Sequence, residues 1–204
     1  MSNKNKPTNL LDILGMGRPE DIAIENTDGQ QYTYASLQYS VESIGKQLRR
    51  MGIKREDKVA IAIPNSINTI MAFLGVSCYA IAAPMNPAYK TEEFRFFLED
   101  TDAKAIITDK QGNTAIHKAA LEGTTHISID SDTDGAVILS NNSSKVYSYP
   151  DDTPSADQVA LVLHTSGTTS RPKMVQLTHG NLASSITNII DTYNLHSDDK
   201  SLCV

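Results

Sequence analysis

The sequence predicts an α/β domain, a mostly parallel sheet flanked by helices. Two patterns and one total carry that prediction. Residues 58–63 form an apolar run with little alternation, as a strand covered on both faces does. Further short apolar runs follow at 80–85, 104–108 and 126–129, with segments of helical periodicity between them. Strands alternating with helices at that spacing specify crossover connections and hence parallel pairing. With 204 residues, 40% of them hydrophobic, the chain can bury one sizeable core or two small ones.

From the amino end, Leu10, Leu11 and Leu14 make a short amphipathic turn that Thr8 or Asn9 can cap. Residues 22–25 and 31–34 flank Asn26-Thr-Asp-Gly29. This predicts a β-hairpin with Gly29 in its turn, and an antiparallel margin to the sheet. Leu37, Val41, Ile44, Leu48 and Met51 fall on one face of the next helix. Gly52 stands where a left-handed C-cap is wanted, and Lys46, Arg49 and Arg50 complement the dipole of the last turns. Pro64-Asn65-Ser66 stops the first strand, and Ser66 can cap a helix running to about Tyr79. Asn86-Pro87 closes the 80–85 strand. Thr91 is expected to cap the following helix, with Glu92 and Glu93 in its first turn and Phe94, Phe97 and Leu98 inward. Residues 114–121 read as a further helix.

Composition changes over residues 130–157, where Asp, Ser, Asn, Thr and Pro dominate and Val137-Ile-Leu is the only apolar island. That segment reads as a surface connection, a poor place for chemistry. A last helix spans 181–195, with Leu182, Ile186, Ile189, Ile190 and Tyr193 on one side. The chain then stops inside Ser201-Leu-Cys-Val, where a buried strand would begin, so it reads as a portion of a longer protein.

Several function classes are disfavoured. A net charge of −6 without a Lys/Arg-dominated run argues against a nucleic-acid footprint. The polar opening lacks a secretory h-region, and the longest apolar stretch is broken by Ser77, Cys78 and Pro84, so no integral membrane segment is expected. Cys78 and Cys203 read as buried reduced thiols, consistent with an intracellular setting. Five scattered histidines offer no ligand-like spacing, and no metal site is expected.

The stretch that carries chemistry is residues 159–181. An apolar run, Val-Ala-Leu-Val-Leu163, enters a loop of hydroxyl residues and one glycine, followed by Arg171, Pro172, Lys173 and a second alternating run, 174–177. Strand, polar loop, strand is the local prediction. Unobstructed backbone N–H groups, clustered hydroxyls and two cations suit a polyphosphate. A Walker A loop needs Gly-x4-Gly-Lys-Ser/Thr opening into a helix; here no second glycine follows Gly167, and Met174 follows Lys173. A serine-hydrolase elbow needs Gly-x-Ser-x-Gly, and His164 stands where its first glycine belongs. A hydroxyl-rich hairpin that binds nothing is the alternative that composition leaves open.

Residue order adds to this. Thr165-Ser-Gly-Thr-Thr-Ser-Arg-Pro-Lys173 resembles, position by position, the phosphate-binding signature of the adenylate-forming superfamily. Leu177-Thr-His-Gly-Asn-Leu182, Tyr32-Thr-Tyr-Ala-Ser-Leu37, Asp57-Lys-Val-Ala-Ile-Ala-Ile-Pro-Asn65 and Pro84-Met-Asn-Pro87 extend the resemblance to most of the chain. Within the superfamily, His164, Ser170 and Leu182-Ala-Ser-Ser185 look most like oxalate–CoA ligases.

The resemblance implies that residues 1–204 are the N-terminal portion of the large, AMP-binding domain. It implies ATP-dependent activation of a small carboxylic acid to an acyl-adenylate, then thioester formation with CoA, with Mg²⁺ accompanying the nucleotide. By carry-over, Thr165, Ser166, Gly167, Thr168 and Thr169 would contact the β- and γ-phosphates, and Lys173 would place a positive charge near the leaving pyrophosphate. Arg171 reads as solvated charge. His179 reads as a stabiliser of the strand-to-helix junction, and His164 as a packed strand-end residue. The family's adenine-, ribose- and acyl-binding motifs, and the small domain with its catalytic lysine, would follow this loop. No catalytic residue is therefore expected within the chain, which alone is expected to be inactive. The alternative is a truncated, non-catalytic phosphate-binding or interaction module. The location is expected to be cytoplasmic or peroxisomal. One departure stands out: the family has glycine after the loop lysine, where this chain has Met174, harmful only if that position adopts positive φ.

Overall fold

The computed structural model describes residues 6–131, 136–143, 145–148, 153–165 and 172–202. Its centre is a seven-stranded sheet of order β7-β6-β5-β3-β4-β8-β9. The strands are β3 (Lys58–Ile61), β4 (Ile81–Pro84), β5 (Ala103–Asp109), β6 (Thr125–Ser131), β7 (Val137–Asn141), β8 (Val159–Thr165) and β9 (Lys173–Thr178). The five inner strands run parallel, as their apolar character requires, while β7 and β9 pair antiparallel at the two margins.

The expected hairpin forms between β1 (Ile22–Glu25) and β2 (Gln31–Thr33), with Gly29 at φ 82°. It is a separate two-stranded sheet and supplies neither margin of the main one. Tyr34 does not extend β2 but opens α2 (Tyr34–Arg50), because the Thr33 hydroxyl accepts the Ser36 N–H and caps the helix there.

Helices cover both faces. On one lie α1 (Leu10–Leu14), α2, α3 (Ile67–Tyr79) and α6 (His179–Tyr193), packed through Val41, Ile44, Leu48, Met71 and Val76 onto Val59, Ile61 and Leu161. On the other lie α4 (Thr91–Thr101) and α5 (Thr114–Ala119), packed through Phe94, Leu98 and Ile116 onto Ala60, Ala62 and Ile106. Asn9 caps α1 and Ser66 caps α3, each side chain accepting a backbone N–H of the first turn. Gly52 follows α2 at φ 87°. At α4 the cap is Lys90, and Thr91 is already helical. The Glu93 carboxylate reaches back to accept the Lys90 N–H at 2.8 Å, so the acidic first turn sets the boundary one residue early.

The apolar island at 137–139 belongs to β7, inside the expected surface connection. β7 pairs with β6, and the Gln47 side chain of α2 donates to Val137 O at 3.0 Å and accepts from Leu139 N at 2.7 Å. One amide thus satisfies a donor and an acceptor of a marginal strand. In α6, Leu182 and Ile186 pack on the core, whereas Ile189, Ile190 and Tyr193 are exposed. Cys78 is fully buried, and desolvation pushes its thiol up to about 12, so it is an inert packing group. Cys203 lies outside the described residues. No described helix is long and apolar enough to cross a membrane.

Candidate functional site

The chain leaves β3 for α3 on one face, towards β4, and leaves the adjacent β5 for α5 on the other face, towards β6. Adjacent strands whose connections depart to opposite faces open a crevice at their carboxyl ends, where α/β folds bind ligands. β8 lies next to β4 and parallel to it, with Leu161 opposite Ala82. Because β4 ends at Pro84, the last residues of β8 project past it on that same carboxyl edge. The two strands that flank the predicted loop are β8 and β9, on the same carboxyl edge as the crevice and separated from it by β4.

Of the residues expected to bind phosphate, Thr165 and Lys173 are the last cross-strand pair of the hairpin, and both are exposed. The Thr165 hydroxyl donates to Lys173 O at 3.4 Å. Directly paired residues share a face, so a hydroxyl and an ammonium stand together where the two strands open. Ser166, Gly167, Thr168 and Thr169, with Ser170 and Arg171, lie outside the described residues. A hydroxyl beside an ammonium suits phosphate oxygens rather than a divalent ion. Among the described residues, no group of three or more His, Cys, Asp or Glu side chains could hold a metal.

Met174 settles comfortably. It pairs with His164 within β9, and its side chain packs on Ile81, Ala83 and Val162. The only non-glycine residues with positive φ among those described are Asp102 and Asn194. The position after Lys173 is extended, and methionine is compatible with it.

The amino end of α6 is not an open anion site. His179 N–H donates to Gln158 O at 2.9 Å, Gly180 N–H to Ala156 O at 2.8 Å, and Asn181 N–H to Thr178 Oγ1 at 3.1 Å. His179 itself is buried, and its Nδ1 accepts the Leu10 N–H at 3.3 Å, leaving the ring proton on Nε2. It joins α1 to the β9–α6 junction, a structural role that matches the sequence expectation. Desolvation, aided by Arg55, lowers its pKa to about 4. An unfolded histidine takes up its proton near pH 6.5. The unfolded chain therefore binds more protons below that pH, and stability falls as pH drops from about 6.5 towards 4. The slope approaches about 1.4 kcal/mol per pH unit for one linked proton. Chemical denaturation across that range should show this loss, and His179→Asn, which keeps an acceptor near Nδ1 but cannot titrate, should flatten it.

His164 packs as expected, but with partners that sequence reasoning did not name. Its Nε2 lies 3.0 Å from Asp100 Oδ2 of α4, and its ring meets Phe97 edge-on at 4.8 Å. Phe97 in turn stacks on Tyr89, in the turn after β4, at 5.0 Å.

Fold and site define a doubly covered α/β domain with a hydroxyl- and lysine-bearing hairpin at the carboxyl edge of its parallel strands. The chain belongs to the AMP-binding enzyme family, which it matches over residues 15–204. It is 42% identical over 178 residues to "Probable CoA ligase CCL9" of Humulus lupulus, covering 84% of this chain and 34% of that protein. It is 37% identical over 201 residues to the oxalate–CoA ligase of Arabidopsis thaliana, covering 96% and 39%. Among solved structures, ATP-bound MatB from Rhodopseudomonas palustris superposes with a TM-score of 0.78 at 26% identity, covering 94% of this chain and 39% of that one. The chain thus spans little more than a third of the length of these curated relatives.

Proposed function

We propose that this chain is the pyrophosphate-gripping part of an acid–CoA ligase. ATP and a carboxylic acid would give an acyl-adenylate and pyrophosphate, and the thiol of CoA would then displace AMP. The observation that carries the reading is the Thr165–Lys173 pair at the open end of the β8–β9 hairpin, on the carboxyl edge that also carries the crevice between β3 and β5. Thr165, Ser166, Thr168 and Thr169 donate hydroxyl or backbone hydrogen bonds to the β- and γ-phosphates. Gly167 lets the backbone approach them, and Lys173 faces the departing pyrophosphate. Negative charge builds on the phosphoryl oxygens during adenylation, and Thr165 and Lys173, carried on paired strands, would stabilise it with little reorganisation. Magnesium would arrive with the nucleotide, shielding phosphate charge.

Oxalate is the acid favoured by the likeness to the Arabidopsis ligase and by His164, Ser170 and residues 182–185. The test is ATP–pyrophosphate exchange by the full reading frame that encodes this chain, with oxalate, acetate and a long-chain fatty acid compared. Exchange that depends on oxalate is expected. No exchange with any carboxylate would overturn the ligase reading, and exchange with another acid alone would overturn the choice of oxalate. The 204-residue chain by itself is expected to show no exchange.

A further inference from the structure

We infer that His164 and Asp100 are a positioning pair that fixes the Thr165–Lys173 mouth of the hairpin against α4 and the turn after β4. The inference rests on the phosphate-binding reading for its importance to function, but not for its geometry. Along β8 successive side chains alternate in direction. Thr165 and Lys173 share one face, while His164, one residue back, points to the opposite face, that of α4. There its Nε2 meets the Asp100 carboxylate at 3.0 Å, with side-chain exposures of 13% for His164 and 27% for Asp100. The ring also stands edge-on to Phe97 at 66°, and Phe97 lies nearly parallel to the Tyr89 ring at 14°. Three elements converge through these contacts: the end of β8, the last turns of α4, and the turn between β4 and α4.

The placement of Asp100 supports a purpose beyond the helix that carries it. α4 ends at Thr101, and its last turn holds no basic residue. A carboxylate there opposes the helix dipole. Asp100 therefore disfavours its own helix locally, and its hydrogen bond to His164 offsets this. The link also supplies what the hairpin lacks at its open end. Leu163 and Val175, the next pair on the Thr165 face, are each 40% exposed, so packing on that face does little to hold the mouth. A side chain from the strand anchored on the opposite face takes that role.

Hydrogen exchange in the 204-residue chain tests the pair, read at the Thr165 and Lys173 amides in the parent and in Asp100→Ala, His164→Phe and His164→Gln. Asp100→Ala acts from 64 positions away in sequence and suits a helix end, so it leaves the fold intact. Asp100→Ala and His164→Phe should each speed exchange at Lys173 about tenfold, and the double variant should go no further. His164→Gln, which places an N–H near Nε2, should stay within about twofold of the parent. Unchanged exchange at Lys173 in Asp100→Ala, or a glutamine variant as fast as the phenylalanine one, would overturn the inference. Pyrophosphate titrated into the same samples separates the two ideas. A parent that binds none overturns the phosphate reading, while the amide rates still decide the pair's role. A parent that binds, with affinity reduced several-fold in Asp100→Ala and restored in His164→Gln, supports both.

Discussion

Lys173→Ala is expected to lower carboxylate-dependent ATP–pyrophosphate exchange by about two orders of magnitude, the usual loss when one preorganised donor to developing oxyanion charge is removed. The effect should fall on kcat and on the handling of ATP and pyrophosphate, with KM for the carboxylate nearly unchanged. The ammonium belongs to the hairpin mouth, and nothing in the proposed arrangement brings it to the acyl group. Lys173→Arg should recover only part of the rate, because a planar guanidinium does not replace a compact, mobile ammonium. Since Lys173 is exposed and closes the last pair of a two-stranded margin, the alanine variant should fold as the parent does. A loss of activity without a loss of stability is the signature sought.

Gly75→Ala is expected to destabilise the chain by about 1–3 kcal/mol, although alanine is the better helix former by about 1 kcal/mol. A Cβ at Gly75 would stand 2.5 Å from Ile44 Cγ2 and 2.7 Å from Ile44 Cβ. Ile44 Cβ is fixed to the backbone of α2, so no rotamer relieves the clash and the two helices must part. Ile44 and neighbouring Met71, Ala72 and Val76 are fully buried, so parting opens voids that no water fills. Gly45→Ala makes the comparison informative. There the added Cβ would meet Tyr79 Cγ and Cδ2 at 2.4 Å, atoms that rotation about χ1 can move, but only by giving up the ring's packing on the core and its place under the Arg49 guanidinium, 4.9 Å from its centre. Urea denaturation should show both variants destabilised, Gly75→Ala the more, and an unchanged stability of Gly75→Ala would contradict the packing argument.

The parts of this fold that sequence made legible are those in which local pattern and tertiary environment agree. The 58–63 run reads as a covered strand because its first four residues form β3, covered on both faces, and Gly52 reads as a left-handed residue because α2 ends just before it. The β8–β9 hairpin is marked at both ends, by an apolar run before the loop and an alternating one after it. What stayed hidden depends on partners far along the chain. Residues 137–139 become a strand because β6 pairs with them and because Gln47, about 90 positions earlier, satisfies their backbone. The first hairpin forms as expected, but nothing local says that it stands apart from the main sheet. The start of α4 moved by one residue because the side chain of Glu93 reaches back to Lys90.

The candidate site divides along the same line. Thr165 and Lys173 were legible through a motif whose spacing matches a hairpin mouth. Asp100 was not, since its only local signal is a carboxylate at the wrong end of a helix. Its partner lies 64 positions on. His179 is the converse case: a histidine at a helix start invites a catalytic or anion-binding role, and burial together with the Leu10 hydrogen bond assigns it to structure.

The central claim is that the mouth of the β8–β9 hairpin grips pyrophosphate. Titration of inorganic pyrophosphate into the isotope-labelled chain, followed through its backbone amides at low and high salt, tests it most directly. The account predicts saturable shifts at Thr165 and Lys173, weakened by salt as charge-assisted contacts are and abolished by Lys173→Ala. Shifts confined to other parts of the chain, or an alanine variant that binds as the parent does, would contradict it.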